Sequence, residues 1–150
     1  MAVFFYGLFM DMSLLQQRGL APSHPQVASL DGYDIVIGDR ATLVPHAEAR
    51  IYGIVTGLTH ADIDTLYTEA SVRDYRPEAV LVTREDGSQV PALCYTLPQV
   101  TGTGRNTAYA VKLLELEKAL AFPGAYLATL QRLTQEETAS KTGREKQHDG

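Results

Sequence analysis

The sequence of 150 residues has one cysteine, no tryptophan, and 13 lysines and arginines against 18 aspartates and glutamates. With Cys94 alone, no internal disulfide can staple the fold, so stability has to come from burial. The formal net charge is −5 and the basic residues are scattered from Arg18 to Lys146, so no stripe of cations can neutralise a run of phosphates. Nucleic acid is therefore not an expected partner. Long apolar runs are missing as well: residues 2–10 have no basic lead-in and meet Asp11 well short of the roughly 20 apolar residues that a membrane helix needs. These features read as a cytoplasmic protein without signal peptide or membrane span.

What is present suffices for one core. Hydrophobic residues make up 45% of the chain and charged residues only 21%, enough to bury a core without metal or disulfide help. Ala2-Val3-Phe4-Phe5-Tyr6, stopped by Gly7, reads as a buried first strand. A short helix follows, capped by Asp11 or Ser13 and stopped by Gly19, Pro22 and Pro25. From Gln26 to Thr56 the pattern is β: Tyr33, Ile35 and Ile37 alternate, and residues 41–44 and 51–55 repeat the strand signal, with Gly38-Asp39 and Pro45 as breakers.

Thr59-His60-Ala61-Asp62 has the form of a capping box with a shortened acid, which predicts a helix over about residues 60–68. Residues 79–83 and 90–96 flank Asp86-Gly87 as a hairpin, with Pro91 at an edge or at its strand's start. Tyr109, Leu113, Leu116 and Leu120 recur at helical spacing up to Pro123-Gly124, and Leu127, Leu130 and Leu133 begin a further helix. From Gln135 to Gly150 no large apolar residue occurs, which predicts a disordered tail. The class is α+β, one domain over about residues 1–134.

Several kinds of chemistry lack their residues. Gly102-Thr103-Gly104-Arg105-Asn106-Thr107 has neither the third glycine of a dinucleotide fingerprint nor the Lys of a P-loop, and reads as a loop. His24, His46, His60 and His148 form no ligand pair, so no zinc site is expected. No serine lies in a nucleophile elbow, and Cys94 alternates with Val90 and Ala92 on a packed strand face. No heptad or exposed apolar stripe marks an oligomer interface, which leaves the oligomeric state open.

Two stretches carry more. Tyr6-Gly7-Leu8-Phe9-Met10-Asp11 is a strand-to-helix junction whose backbone amides suit an anion, and it serves equally as a plain turn with Leu8, Phe9 and Met10 in the core. In Leu66-Tyr67-Thr68-Glu69-Ala70-Ser71-Val72-Arg73-Asp74-Tyr75-Arg76, Glu69 follows an apolar helix turn. It reads as a half-buried acid or base, or as a solvated carboxylate or a partner of Arg73. Glu78 is a further carboxylate, at a strand start where an exposed edge charge is the ordinary reading.

Together the two stretches resemble the gamma-glutamylcyclotransferase-like superfamily over about residues 2–97. The family's usual signatures are Tyr-Gly-Ser/Thr-Leu or Tyr-Gly-Ser-Asn, then Leu-Asp-x-x-Glu-Gly with a later Tyr-x-Arg or Tyr-Arg. Here Leu8 stands in place of Ser or Thr, Tyr67 in place of Asp and Ala70 in place of Gly, and the spacing from Leu66 to Glu69 is one residue shorter. The resemblance implies a small mixed β-barrel decorated by helices.

It also implies Glu69 as the catalytic acid and base, with Tyr6, Gly7, Leu8, Phe9, Met10, Tyr75 and Arg76 around the substrate. The implied reaction is attack of a substrate's α-amino group on its own γ-carbonyl, releasing 5-oxoproline and an amine or amino acid. It needs orientation, a proton shuttle and oxyanion donors, with no metal or organic cofactor. A Glu69 in that role favours a pKa raised by burial. Glutathione, γ-glutamyl amino acids and γ-glutamylamines all fit as small-molecule substrates. Leu8 also admits a catalytically impaired member that acts as a small-molecule-binding or interaction module.

Overall fold

A computed structural model of the chain describes residues 1–69, 71–98 and 106–134. Ala70, most of the 102–107 loop and the 135–150 tail predicted above lie outside these residues. The chain sorts into two compact units, formed by the described residues of Met1–Val36 with Ala41–Val100 and of Ile37–Arg40 with Thr101–Gly150.

The first unit carries a closed five-stranded barrel in the order β1, β3, β2, β4, β5, the strands being β1 (Ala2–Phe5), β2 (Ser23–Ile37), β3 (Ala41–Gly57), β4 (Arg76–Arg84) and β5 (Gln89–Thr96). It is a mixed barrel, as the family resemblance implies. β1 runs antiparallel to β3, from Ala2 opposite Gly57 to Phe5 opposite Ile54, and parallel to β5 through Val3–Leu93 and Phe4–Cys94. A strand paired on both edges has little contact with water, and Val3, Phe4 and Phe5 are all buried. β4 and β5 pair throughout, from Arg76–Thr96 to Thr83–Gln89, around the expected Asp86-Gly87 turn. Pro91 sits before the residues of β5 that pair with β1, where its missing N–H breaks no bond to that strand.

Two expectations about the middle strands fail. Pro45 does not break the chain: residues 41–44 and 51–55 belong to the single 17-residue strand β3. β2 starts at Ser23 rather than at the expected Gln26, so Pro25, read above only as a helix stop, lies inside it. Both prolines are exposed, where a missing ladder donor is answered by solvent. On β3, Gly53 cannot be another residue, because a Cβ there would lie 2.2 Å from the Phe5 carbonyl oxygen and 2.7 Å from the Phe4 ring.

Two short helices complete this unit. α1 (Met12–Gln17) is capped by Asp11, whose carboxylate accepts from the Ser13 amide at 3.0 Å. α2 (His60–Tyr67) is capped by Thr59, whose hydroxyl accepts from the Asp62 amide at 3.1 Å. Ile63 and Leu66 face the core.

The second unit is built on α3 (Thr107–Ala119) and a further helix, α4, over residues 124–134. Asn106 caps α3, accepting from the Tyr109 amide at 3.0 Å, while its own amide donates to the Gly38 carbonyl at 2.8 Å. The buried stripe of α3 is Ala110, Leu113, Leu114 and Glu117 rather than the predicted Tyr109, Leu113, Leu116 and Leu120. Only Leu113 is common to both, and the true stripe contains an acid, which counting apolar residues passes over. The helix ends in paired bonds from Phe122 N–H to Glu117 C=O and from Ala121 N–H to Lys118 C=O, with Ala121 at φ +57°. This is the arrangement usually completed by glycine. Among the described residues no helix is long and apolar enough to cross a membrane.

Candidate functional site

β1 leads directly into the first candidate stretch. Gly7 is extended, and a 3-10 turn over Leu8–Met10 follows it with no side-chain cap. The Met10 amide donates to the Gly7 carbonyl at 3.0 Å. Tyr6 points inward and is buried, its hydroxyl donating to the Tyr95 carbonyl at 2.8 Å and also bonding Thr42. Burial, then the nearby Cys94, Tyr75 and Tyr67, raise its pKa far above that of an ordinary phenol. Tyr6 therefore anchors the turn to the end of β5 as a neutral group. Met10 is buried in the core, whereas Leu8 and Phe9, which the plain-turn reading also places there, are only half-buried.

Phe9 is the turn's aromatic link, half-buried between its neighbours. Its ring stands edge-on to Phe5 at 6.0 Å and to Tyr67 at 6.2 Å, and Tyr67 stacks on Tyr95 at 3.8 Å with the planes 13° apart. These contacts join the 3-10 turn, the end of α2 and the end of β5 into one aromatic wall. The position where the family has Asp is thus occupied by a ring of that wall.

Glu69 lies two residues past α2, and its carbonyl accepts from the Val72 and Arg73 amides at 3.1 and 2.9 Å, which fixes it at the start of a tight loop. Its carboxylate meets Arg18 rather than Arg73, with Arg18 Nε donating to Oε1 at 2.6 Å. The two side chains are 34% and 35% exposed, so this is a half-exposed pair at the surface and Glu69 is not enclosed. Arg18 is set by the end of α1: Gly19 at φ +81° closes the helix through Gly19 N–H to Gln16 C=O and Leu20 N–H to Leu15 C=O, leaving Arg18 as the C-cap. Its Nη1 donates to the Leu14 carbonyl at 3.3 Å, and its Cζ lies 5.6 Å from the centre of the Phe9 ring. Arg18 therefore touches both candidate stretches, and nothing local in the sequence announced it.

The remaining predicted residues diverge. The Tyr75 hydroxyl donates to the Ala41 carbonyl and ties the loop after α2 to the start of β3. Arg76 folds back on its own loop, donating to the Arg73 and Tyr75 carbonyls at 2.9 and 3.0 Å. Thr42 is buried and its hydroxyl accepts from the Leu97 amide at 2.8 Å.

Glu78 is not an exposed edge charge, because the barrel is closed and leaves β4 no free edge. It is half-buried and accepts from the Tyr33 hydroxyl at 2.6 Å. That bond, then burial, pushes Tyr33 up to about 12. Burial pushes the Cys94 thiol up to about 12 as well, so it supplies no thiolate near neutrality.

The family profile described as "Gamma-glutamyl cyclotransferase, AIG2-like" matches residues 3–117. No curated protein sequence matches the chain. Among solved structures, the chain is similar to a gamma-glutamyl cyclotransferase at a TM-score of 0.74 and 17% identity, covering 87% of this chain and 85% of that one. YkqA from Bacillus subtilis matches at a TM-score of 0.71 and 20% identity over 90% of this chain and 54% of that one. A yeast gamma-glutamyl cyclotransferase specific to glutathione matches at 0.61 and 15% identity over 91% and 96%.

Proposed function

The chain belongs to the gamma-glutamyl cyclotransferase, AIG2-like family, and from that premise we propose that it cyclises a γ-glutamyl compound to 5-oxoproline. The observation that carries the reading is Arg18, which holds Glu69 at 2.6 Å and covers Phe9 of the Gly7–Met10 turn at 5.6 Å, drawing the candidate carboxylate and the candidate cradle together.

The chemistry needs little more. Glu69 takes a proton from the α-ammonium group, the freed amine attacks the γ-carbonyl carbon, Glu69 returns that proton to the leaving nitrogen as its bond to that carbon breaks, and the ring nitrogen gives up its second proton to the released amine, which departs as an ammonium ion. Glu69 ends as it began. The backbone of the 3-10 turn, which has no side-chain cap at Gly7, is suited to face the oxyanion, and this role does not depend on a hydroxyl at Leu8. The Phe9, Tyr67 and Tyr95 rings form an apolar wall for the body of the substrate.

A second reading, a member that binds such compounds without turning them over, is favoured by Leu8, an apolar side chain where the family's usual motif has a hydroxyl. Release of 5-oxoproline from a panel of γ-glutamyl amino acids, γ-glutamylamines and glutathione separates the two. Turnover by the native protein that falls about 100-fold or more in Glu69→Gln supports the enzyme. Equal turnover in both removes Glu69 from the reaction, and binding without turnover selects the second reading.

A further inference from the structure

The closed barrel holds a carboxylate that the cyclotransferase reading leaves idle. Glu78 on β4 is the Cα partner of Cys94 on β5, so their side chains share a face of the sheet, and Cys94 is fully buried. The next pair on that face, Val80 with Ala92, is buried as well. Glu78 therefore faces into the barrel, half-buried near the end where β4 begins and β5 finishes. Burial first and the Glu78 charge second raise the Cys94 thiol, which places the two groups close together.

A slip in β2 brings Tyr33 to this carboxylate. Ala28 and Leu30 are the buried residues in the first half of that strand and Ile35 and Ile37 in the second, so the inward set changes from even to odd numbers. Gly32, at φ +86°, lies at the change, in the conformation a bulge glycine adopts. Tyr33 thereby joins the set of Ile35 and Ile37, and its hydroxyl reaches across to β4 to donate to Glu78 Oε1 at 2.6 Å.

We propose that Glu78 and Tyr33 form a binding site for a small primary amine in its ammonium form, the ammonium donating to Glu78 Oε2. Among the described residues no lysine, arginine or histidine forms an ion pair with Glu78. A carboxylate drawn partly out of water is costly until a positive partner meets it, and a cationic ligand supplies that partner. The neighbours select the cation. A calcium or magnesium ion needs several oxygen ligands, and no group of three acids, histidines or cysteines suited to a metal exists among the described residues. A guanidinium binds best as a fork on both carboxylate oxygens, and Tyr33 occupies Oε1. With its phenol pushed up to about 12, Tyr33 stays a donor there through neutral pH. A primary ammonium is a compact charge that one oxygen can hold, and the apolar lining of Val80, Ala92 and Cys94 suits a short alkyl group.

The test titrates the full chain with butylammonium chloride, butanol, butylguanidinium chloride and magnesium chloride, with binding followed by calorimetry. The native protein binds butylammonium saturably, and more tightly than butanol or butylguanidinium. Glu78→Gln keeps the shape and can still accept from Tyr33, and it weakens butylammonium binding by about 10-fold or more. Tyr33→Phe keeps both the carboxylate and the ring. By freeing Oε1 for a fork, it shifts the preference toward butylguanidinium by about 10-fold.

Butanol binding as tightly as butylammonium, equal affinities in the native protein and Glu78→Gln, or no saturable butylammonium binding each overturns the site. Magnesium binding that exceeds butylammonium binding and is lost in Glu78→Gln overturns the choice of an ammonium ion, and an unchanged preference in Tyr33→Phe overturns the part given to Tyr33. The readout is binding rather than turnover, so each of these outcomes leaves the cyclotransferase reading where it stands.

Discussion

Glu117 offers a measurement that isolates one proton. Its side chain is fully buried on α3, and among the described residues neither carboxylate oxygen has a hydrogen-bond partner. Burial pushes its pKa up to about 8 from an ordinary 4.5. The folded chain therefore keeps this proton at pH 7 while the unfolded chain releases it, and the unfolded state gains as pH rises between those two values. Stability from this site is intact below pH 4.5 and declines by about 1.4 kcal/mol per pH unit until about pH 8.

The full descent amounts to about 5 kcal/mol, a large part of the 5–15 kcal/mol typical of a domain. Glu117→Gln keeps the shape and carries no proton to lose. Urea unfolding of both proteins at pH 5, 6, 7 and 8 should show the variant gaining on the native protein by about 1.2 to 1.4 kcal/mol at each of the first two steps and by about 1 kcal/mol at the last. Parallel stability curves refute the reasoning, since they require a Glu117 whose carboxylate is as comfortable in the fold as in water.

Two further substitutions test the backbone. Ala121→Gly relieves a left-handed alanine at the end of α3 and should raise stability by about 1 kcal/mol, read as an increase in Tm. Gly53→Ala drives a methyl group into the Phe5 carbonyl and the Phe4 ring and should cost about 3 kcal/mol or prevent folding, measured by the same melt.

What could be read from the sequence was local. The caps at Asp11 and Thr59 and the Asp86-Gly87 hairpin depend on a few consecutive residues, and each lies where its pattern places it. Pro45 misled because whether a proline breaks a strand depends on solvent beyond it, which the sequence does not state. The site was half legible for the same reason. Glu69 and the Tyr6–Met10 turn stand out as residue patterns, yet Arg18 is 51 positions from the carboxylate it holds. Tyr67 and Tyr95 look like strand and helix apolars until the fold stacks them. Glu117 was invisible because a rule that counts apolar residues assigns an acid to the solvent face.

The parallel seam between β1 and β5 has a consequence for how the chain is made. As the polypeptide leaves the ribosome, β1 can find its antiparallel partner once Gly57 has emerged, but Val3 and Phe4 must wait for Leu93 and Cys94 before the barrel closes. Until then the nascent sheet has an unsatisfied edge along its most apolar strand, the kind of edge that recruits other chains. A fragment ending before Leu93 keeps that edge permanently, so chains released early from translation are a hazard in a way that the finished protein is not.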